Sequence, residues 1–184
     1  MGLKWQDDQD YVTLVEDLLE TPEVQSLSRY VHHTYTNRLE HSLTVSYRSY
    51  LLARLFGLNY RETARASLLH DLFYYDMCDS KDVGPKGHLY EHPRIALKNA
   101  LKLTQLSDLG RDIILKHMWG ATLDVPKYSE SWIVTLMDKE AAILEVTRGM
   151  GGSCRRAANH YCHLVWSIMW GHLAFWRHSI DDQA

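Results

Sequence analysis

The segment Leu68-Leu69-His70-Asp71-Leu72-Phe73 places an imidazole beside a carboxylate at the end of an apolar run that begins at Ala64. Burying both polar groups costs free energy unless each one is hydrogen-bonded or bound to a cation. Neighbouring side chains on a helix point about 100° apart, so His70 and Asp71 cannot simply satisfy each other. The segment therefore predicts a third group at this doublet, and a metal ion is the first candidate.

Other residues of metal-ligating type lie on both sides of the doublet. His41 precedes it and Asp138 follows it, each among apolar neighbours with helical spacing, and His92 and His117 lie between the doublet and Asp138. Any one of these histidines, taken alone, is more often a core or surface residue than a ligand. The full set has the order H…HD…H…H…D and consists of His41, His70, Asp71, His92, His117 and Asp138. Imidazole and carboxylate ligands suit iron, manganese, zinc, nickel or cobalt, and the lack of cysteine disfavours a structural thiolate zinc site.

This ordered set resembles the HD-domain metal-dependent phosphohydrolase superfamily, over a span of roughly Arg38 to Glu145. The histidines at 92 and 117 make it similar to the branch that binds two ions. The resemblance implies one ion held by His41, His70, Asp71 and Asp138, and a second held by His92, His117 and a bridging Asp71. It also implies a metal-activated water as nucleophile, with His70 and Asp71 at the catalytic centre. We expect two divalent transition-metal ions, with iron favoured and manganese, nickel, cobalt or zinc as alternatives.

The candidates for substrate binding are Arg38, His88, Lys86 and Lys139. Arg38 precedes His41 by three residues, where related enzymes often keep a basic residue that contacts phosphate; the alternative is a solvated helix charge. His88 lies in a polar loop four residues before His92, where it is a candidate for contact with substrate or metal. The lysines are candidates for phosphate, although most lysines only solvate a surface.

One position departs from the family pattern. Many relatives carry a phosphate-contacting lysine three residues after the doublet aspartate, and this chain has Tyr74 there. The run Phe73-Tyr74-Tyr75 has two interpretations: stacking on a nucleobase, or packing, which is favoured.

The bulk composition is that of an ordinary soluble globular protein of 184 residues, with 46% hydrophobic and 23% charged residues. A net charge of -3 gives no electrostatic signature of binding to a nucleic-acid duplex. Small anions such as a nucleotide remain possible partners, because a bound metal can reverse the local field. Three cysteines without a CxxC pair favour a reducing compartment. Together with the lack of a signal peptide or an apolar run of membrane-spanning length, they lead us to expect a cytoplasmic protein with no membrane partner.

Apolar residues recur at helical spacing along nearly the whole chain, which predicts an all-α fold, a single-domain helical bundle of the HD type. We assign residues 1–150 to this metal-binding domain. Residues 151–184 contain a tryptophan-rich stretch, with Trp166, Trp170 and Trp176. It is predicted to form a helix that packs on the same domain or on a second subunit, which would make a homodimer.

The leading hypothesis is a phosphohydrolase that cleaves a phosphomonoester or a nucleotide phosphoanhydride, with a small phosphorylated partner such as a nucleotide. Two alternatives stay open. A few relatives use the same four-histidine, two-aspartate set for a mixed-valent di-iron centre that activates oxygen. A non-catalytic metal- or nucleotide-binding protein is the other, given the missing lysine.

Overall fold

The computed structural model describes residues 4–32, 36–76 and 83–147, and these ranges form an all-α, single-domain bundle, as the helical spacing predicts. The α-helices within them are α1 (Gln9–Leu19), α2 (Pro22–Gln25), α3 (Arg38–Leu55), α4 (Tyr60–Leu68), α5 (His88–Leu103), α6 (Asp108–Lys116) and α7 (Ser129–Thr147). Two short 3-10 turns (Trp5–Asp7 and Ser26–Arg29) accompany them. The predicted C-terminal helix, with its tryptophans, lies outside the described residues.

A short hairpin, with strands of two residues each, precedes α3 and is absent from the sequence prediction. Its strands β1 (Val31–His32) and β2 (Thr36–Asn37) pair antiparallel. Segments this short carry no alternating pattern, so sequence periodicity cannot reveal them. The hairpin leads the chain directly into α3.

The core is built around α3 and α4, which pack along each other, while α7 packs on α3 and α6. Helix α6 also contacts α4 and α5, and α1 covers α4. Fully buried apolar side chains from several helices fill the centre; they include Tyr11, Leu68, Ile113 and Ile133. No helix in the part of the chain that the structure describes is long and apolar enough to cross a membrane.

Side-chain caps begin several of the helices. Asn37 accepts a hydrogen bond from the Glu40 N–H (2.9 Å), and the Glu40 carboxylate accepts one from the Asn37 N–H (3.4 Å), which completes a capping box at α3. Gly57 follows α3 with a φ of 68°, a left-handed conformation that commonly ends a helix. Helices α2, α4 and α6 begin in a similar way, with side chains that each accept a hydrogen bond from a backbone N–H in the first turn; these side chains are those of Thr21, Asn59 and Ser107. These caps fix the register of the helices that carry the site.

Two helix boundaries differ from the sequence prediction. The apolar run from Ala64 to Leu72 predicts a helix to Leu72, but α4 ends at Leu68, and the doublet follows in a tight turn whose N–H groups mostly donate to carbonyls three residues earlier. Helix α5 begins at His88, a residue that the sequence places in a polar loop before a helix from His92. The cause at α5 is Gly87, whose φ of 78° ends the preceding irregular segment and allows the helix to begin one turn early.

Candidate metal centre

The structure brings all six predicted ligands into one buried cluster, although five separate segments supply them. His41 lies on α3, the doublet follows α4, and His117 follows α6 at its C-terminal end. His92 comes from α5 and Asp138 from α7, and each of the six is at most 9% exposed. The helical caps and the core packing therefore converge on this point.

One half of the cluster, which we call the carboxylate-rich half, contains His41 and Asp138. The His41 Nε2 lies 3.0 Å from the Asp138 Oδ1. His70 borders this half, with its Nε2 3.6 Å from the same Asp138 oxygen and 3.7 Å from the Asp71 Oδ2. Ligand atoms of His41, His70 and Asp138 all lie within 4.8 Å of one another, so these three residues could hold a metal ion.

The other half, the imidazole-rich half, contains His92 and His117. Their Nε2 atoms are 2.9 Å apart, and each faces the Asp71 Oδ1, at 3.4 Å from His92 and 3.6 Å from His117. His70, Asp71 and His117 form a second triad of ligand atoms within 4.8 Å. Asp71 therefore offers one oxygen to each half and lies between them.

Backbone carbonyls fix the tautomer of three of the four histidines. A carbonyl oxygen can only accept, so each Nδ1 that contacts one must carry the proton, and each Nε2 is left with its lone pair. These bonds run from His70 to Ser67 (2.7 Å), from His92 to His88 (2.8 Å) and from His117 to Ile114 (2.8 Å). Histidine ligands of metals are typically oriented in this way by their outer nitrogen.

The inner nitrogens fit a cation. The lone pairs of His92 and His117 face each other at 2.9 Å, which is repulsive unless a positive charge lies beside them. The fully buried His70 Nε2 has no hydrogen bond to any described residue. A divalent transition metal accepts electron density from all three nitrogens, so the donor set is chemically suited to it.

Burial sets the charge state of the imidazole-rich half. Burial lowers the pKa of both histidines, and the charges of His70 and His92 add to the effect at His117, whose pKa falls to about 3. Both rings are therefore neutral near neutral pH, the form that coordinates a metal.

His41 has the opposite environment. Burial alone would lower its pKa, but hydrogen bonds to Asp138 and Glu145 outweigh burial and raise the pKa to about 10. The same contacts from His41 and His70 outweigh burial at Asp138 and hold its pKa well below the usual value. In the metal-free protein His41 therefore carries a proton near neutral pH, which a bound cation would have to displace.

Glu145 is a site residue that sequence reasoning missed. Its Oε1 lies 3.1 Å from the His41 Nδ1, and its Oε2 accepts a hydrogen bond from the Thr36 hydroxyl at 2.9 Å. Glu145 follows Asp138 by seven residues, so both project from the same side of α7. The seven-residue spacing from Asp138 is the only sequence signal for Glu145, and it does not show that this acid is buried.

Arg38 is fully buried, so it is not a solvated helix charge. Its guanidinium donates to the Phe73 carbonyl (2.7 Å) and the Tyr75 carbonyl (3.0 Å), and lies 3.6 Å from the centroid of the Phe73 ring. The contacts it makes here hold the backbone that follows the doublet. Its predicted phosphate contact stays a prediction.

His88 lies at the edge of the cluster. Its half-buried ring stacks on His92 with centroids 4.5 Å apart, and its Nδ1 is 2.9 Å from the Tyr75 hydroxyl. Phe73 is 1% exposed and packs against Arg38 and these rings, so it belongs to the core, as favoured above. The structure thus places His88 in direct contact with a predicted metal ligand, His92.

The two lysine candidates lie in different surroundings. The Lys139 Nζ, beside Asp138, donates to the His117 carbonyl at 3.2 Å, which places this lysine at the cluster. Lys86 is exposed, and its Nζ lies 4.2 Å from the centroid of the Tyr90 ring. Tyr74, at the position of the family lysine, is 38% exposed.

No protein-family model and no curated protein matches this chain. Any inference about the chemistry of the cluster therefore depends on its geometry alone.

Proposed function

We propose that the protein is a metal-dependent phosphohydrolase that acts on a phosphomonoester or a nucleotide phosphoanhydride. The observation that supports this proposal is the convergence of four imidazoles and two carboxylates in one buried cluster, with Asp71 between two halves. When bound in such a cluster, two divalent ions supply Lewis acidity toward phosphate oxygens and a nucleophilic hydroxide near neutral pH. The bridging position of Asp71 favours two ions over one.

The protein contributes orientation and exclusion of water. The carbonyl-fixed histidines keep their Nε2 atoms aimed inward before any ligand arrives, so no reorganisation is needed on binding. Among the six, Asp138 is the most exposed, at 9%, so we infer that substrate approaches past it. Lys139 is adjacent, where a cation attracts a phosphate group.

Tyr75 and His88 form a hydrogen-bonded pair next to His92. Both are partly buried, so they can exchange their mutual bond for one to a bound substrate without moving far. We assign them to the wall of the substrate site.

The test uses the full chain, freed of metal with chelator and reloaded separately with Mn²⁺, Fe²⁺, Co²⁺ or Ni²⁺. Phosphate release is measured for nucleoside mono-, di- and triphosphates, dinucleoside polyphosphates and simple phosphomonoesters. We expect turnover that depends on added metal and is lost in Asp138→Asn, while Asp7→Asn, on an exposed acid far along the chain, retains it. No turnover with any of the four metals would overturn the proposal.

A further inference from the structure

The four histidines of the cluster differ in what holds their outer nitrogen. His70, His92 and His117 use backbone carbonyls, which are neutral acceptors. His41 uses a carboxylate, that of Glu145, at 3.1 Å. A carboxylate behind an imidazole raises its basicity as a metal ligand more than a carbonyl does.

Glu145 is itself held in place. Its side chain is 4% exposed, and its second oxygen accepts a hydrogen bond from the Thr36 hydroxyl at 2.9 Å. Thr36, Glu145, His41 and Asp138 therefore form a continuous chain that leads from the β2 strand to the carboxylate-rich half.

The carboxylates are distributed unequally between the two halves. The carboxylate-rich half has Asp138 within 3.0 Å of His41, one oxygen of Asp71, and Glu145 behind His41. Among the described residues, one carboxylate lies at ion-pair distance from the imidazole-rich half. It is that of Asp71, whose other oxygen faces His92 and His117. In a buried site, a difference of this kind has a large effect on the affinity for a divalent cation.

We infer that the two halves bind metal in order, the carboxylate-rich half first, and that Glu145 is the positioning residue that sets this order by acting through His41. The first ion then opposes the second by charge repulsion, which widens the difference. This inference rests on the metal-binding part of the proposed function and does not depend on the substrate.

The test is a titration of the full, metal-free chain with Co²⁺, followed by calorimetry and by the visible absorption of the bound ion. We expect two resolved steps in the natural protein. In Glu145→Gln the affinity of the first step falls by about 10–100-fold, the range for outer partners of metal ligands, while that of the second step does not fall. Glu130→Gln is the matched control, because Glu130 is also a buried acid of α7 but accepts from the Asn59 N–H. It leaves both steps unchanged.

A second variant keeps the inference testable if Glu145→Gln fails to fold. Thr36→Val removes only the hydroxyl that holds Glu145, and a smaller loss in the first step alone is expected. Two equal steps in the natural protein, or a loss confined to the second step in either variant, would overturn the inference. Two unequal steps in a protein that hydrolyses no phosphate would support it and refute the phosphohydrolase proposal alone.

Discussion

Asp71 offers its two carboxylate oxygens to different sides of the cluster, Oδ2 toward His70 and Oδ1 toward His92 and His117. Asp71→Asn removes the charge of this carboxylate, so it should weaken metal binding in both halves at once. We expect metal affinity to fall by at least about 100-fold, the upper end of the range for an outer partner. Metal analysis after dialysis against a known free Co²⁺ concentration measures this. Unchanged metal content would contradict the bridging role.

Arg38 is a residue whose role the structure makes measurable. A lysine cannot donate in two fixed directions, so Arg38→Lys leaves one of the two buried carbonyls without its partner. We expect the free energy of unfolding in urea to fall by about 1–3 kcal/mol. Arg29→Lys, on an exposed arginine, serves as the control and should be neutral. Unchanged stability with weaker binding of phosphate substrates would instead support the contact implied by the family resemblance.

The chemical identity of the residues was enough to predict most of the candidate site, but not all of it. Histidine and aspartate are recognisable as ligands from their chemistry, and the predicted six do meet in space. Glu145 was missed because a glutamate on a helix is normally a solvated charge. Only the packing of α7 against α3 reveals that it faces His41.

At the scale of elements, the start of α3 fixes the position of His41 one turn later. Asn37→Ala removes the cap bond to the Glu40 N–H, so we expect a loss of about 0.5–2 kcal/mol in the free energy of unfolding. Asn37→Asp retains an acceptor at the same place and should keep most of the stability. Thermal or urea unfolding monitored by circular dichroism distinguishes the two, and equal losses would argue against capping.

The starts of α2, α3, α4 and α6 follow from capping side chains, which act locally, whereas the start of α5 and the end of α4 do not. The sequence continues apolar through Leu72, a pattern that a helix or a tight turn satisfies equally well. In the structure the turn brings His70 and Asp71 into the same cluster, with the His70 Nε2 3.7 Å from the Asp71 Oδ2, whereas a regular helix would separate them by about 100°. Long-range packing and the ligand cluster decide this boundary, so local sequence cannot.

Helices α1 and α4 are joined by an ion pair that gives a pH-dependent prediction. The hydrogen bonds from Arg65 (2.6 and 2.8 Å) lower the pKa of Asp17 below 3.8. The pKa of Asp17 is lower in the folded protein than in the unfolded chain. The contribution of the pair to stability is therefore fully present above the unfolded pKa, and it is lost as the pH falls through the lower, folded pKa.

Asp17→Asn should therefore lower the free energy of unfolding at pH 7 by less than about 1 kcal/mol, because the pair is exposed. The difference from the natural protein should shrink on acidification, as measured by urea unfolding at a series of pH values. Glu16→Gln, an exposed neighbour on α1, should show no such dependence. A difference that grows as the pH falls would contradict the ion-pair interpretation.

At the scale of the whole molecule, five segments must all be folded before the six ligands meet, so an ion that binds the cluster binds only the native state. By mass action, Co²⁺ at about 100 times its dissociation constant should stabilise the fold by about 2.7 kcal/mol. For a domain of this size that corresponds to a rise in Tm of about 5–10 °C. Differential scanning calorimetry measures it, and excess chelator should reverse it. Asp71→Asn should show a much smaller rise at the same Co²⁺ concentration, because its site is weaker while the rest of the fold is unchanged. An equal rise in the Tm of the variant would mean that the ion stabilises the protein by binding elsewhere, and this would contradict the assignment of the buried cluster as the metal site.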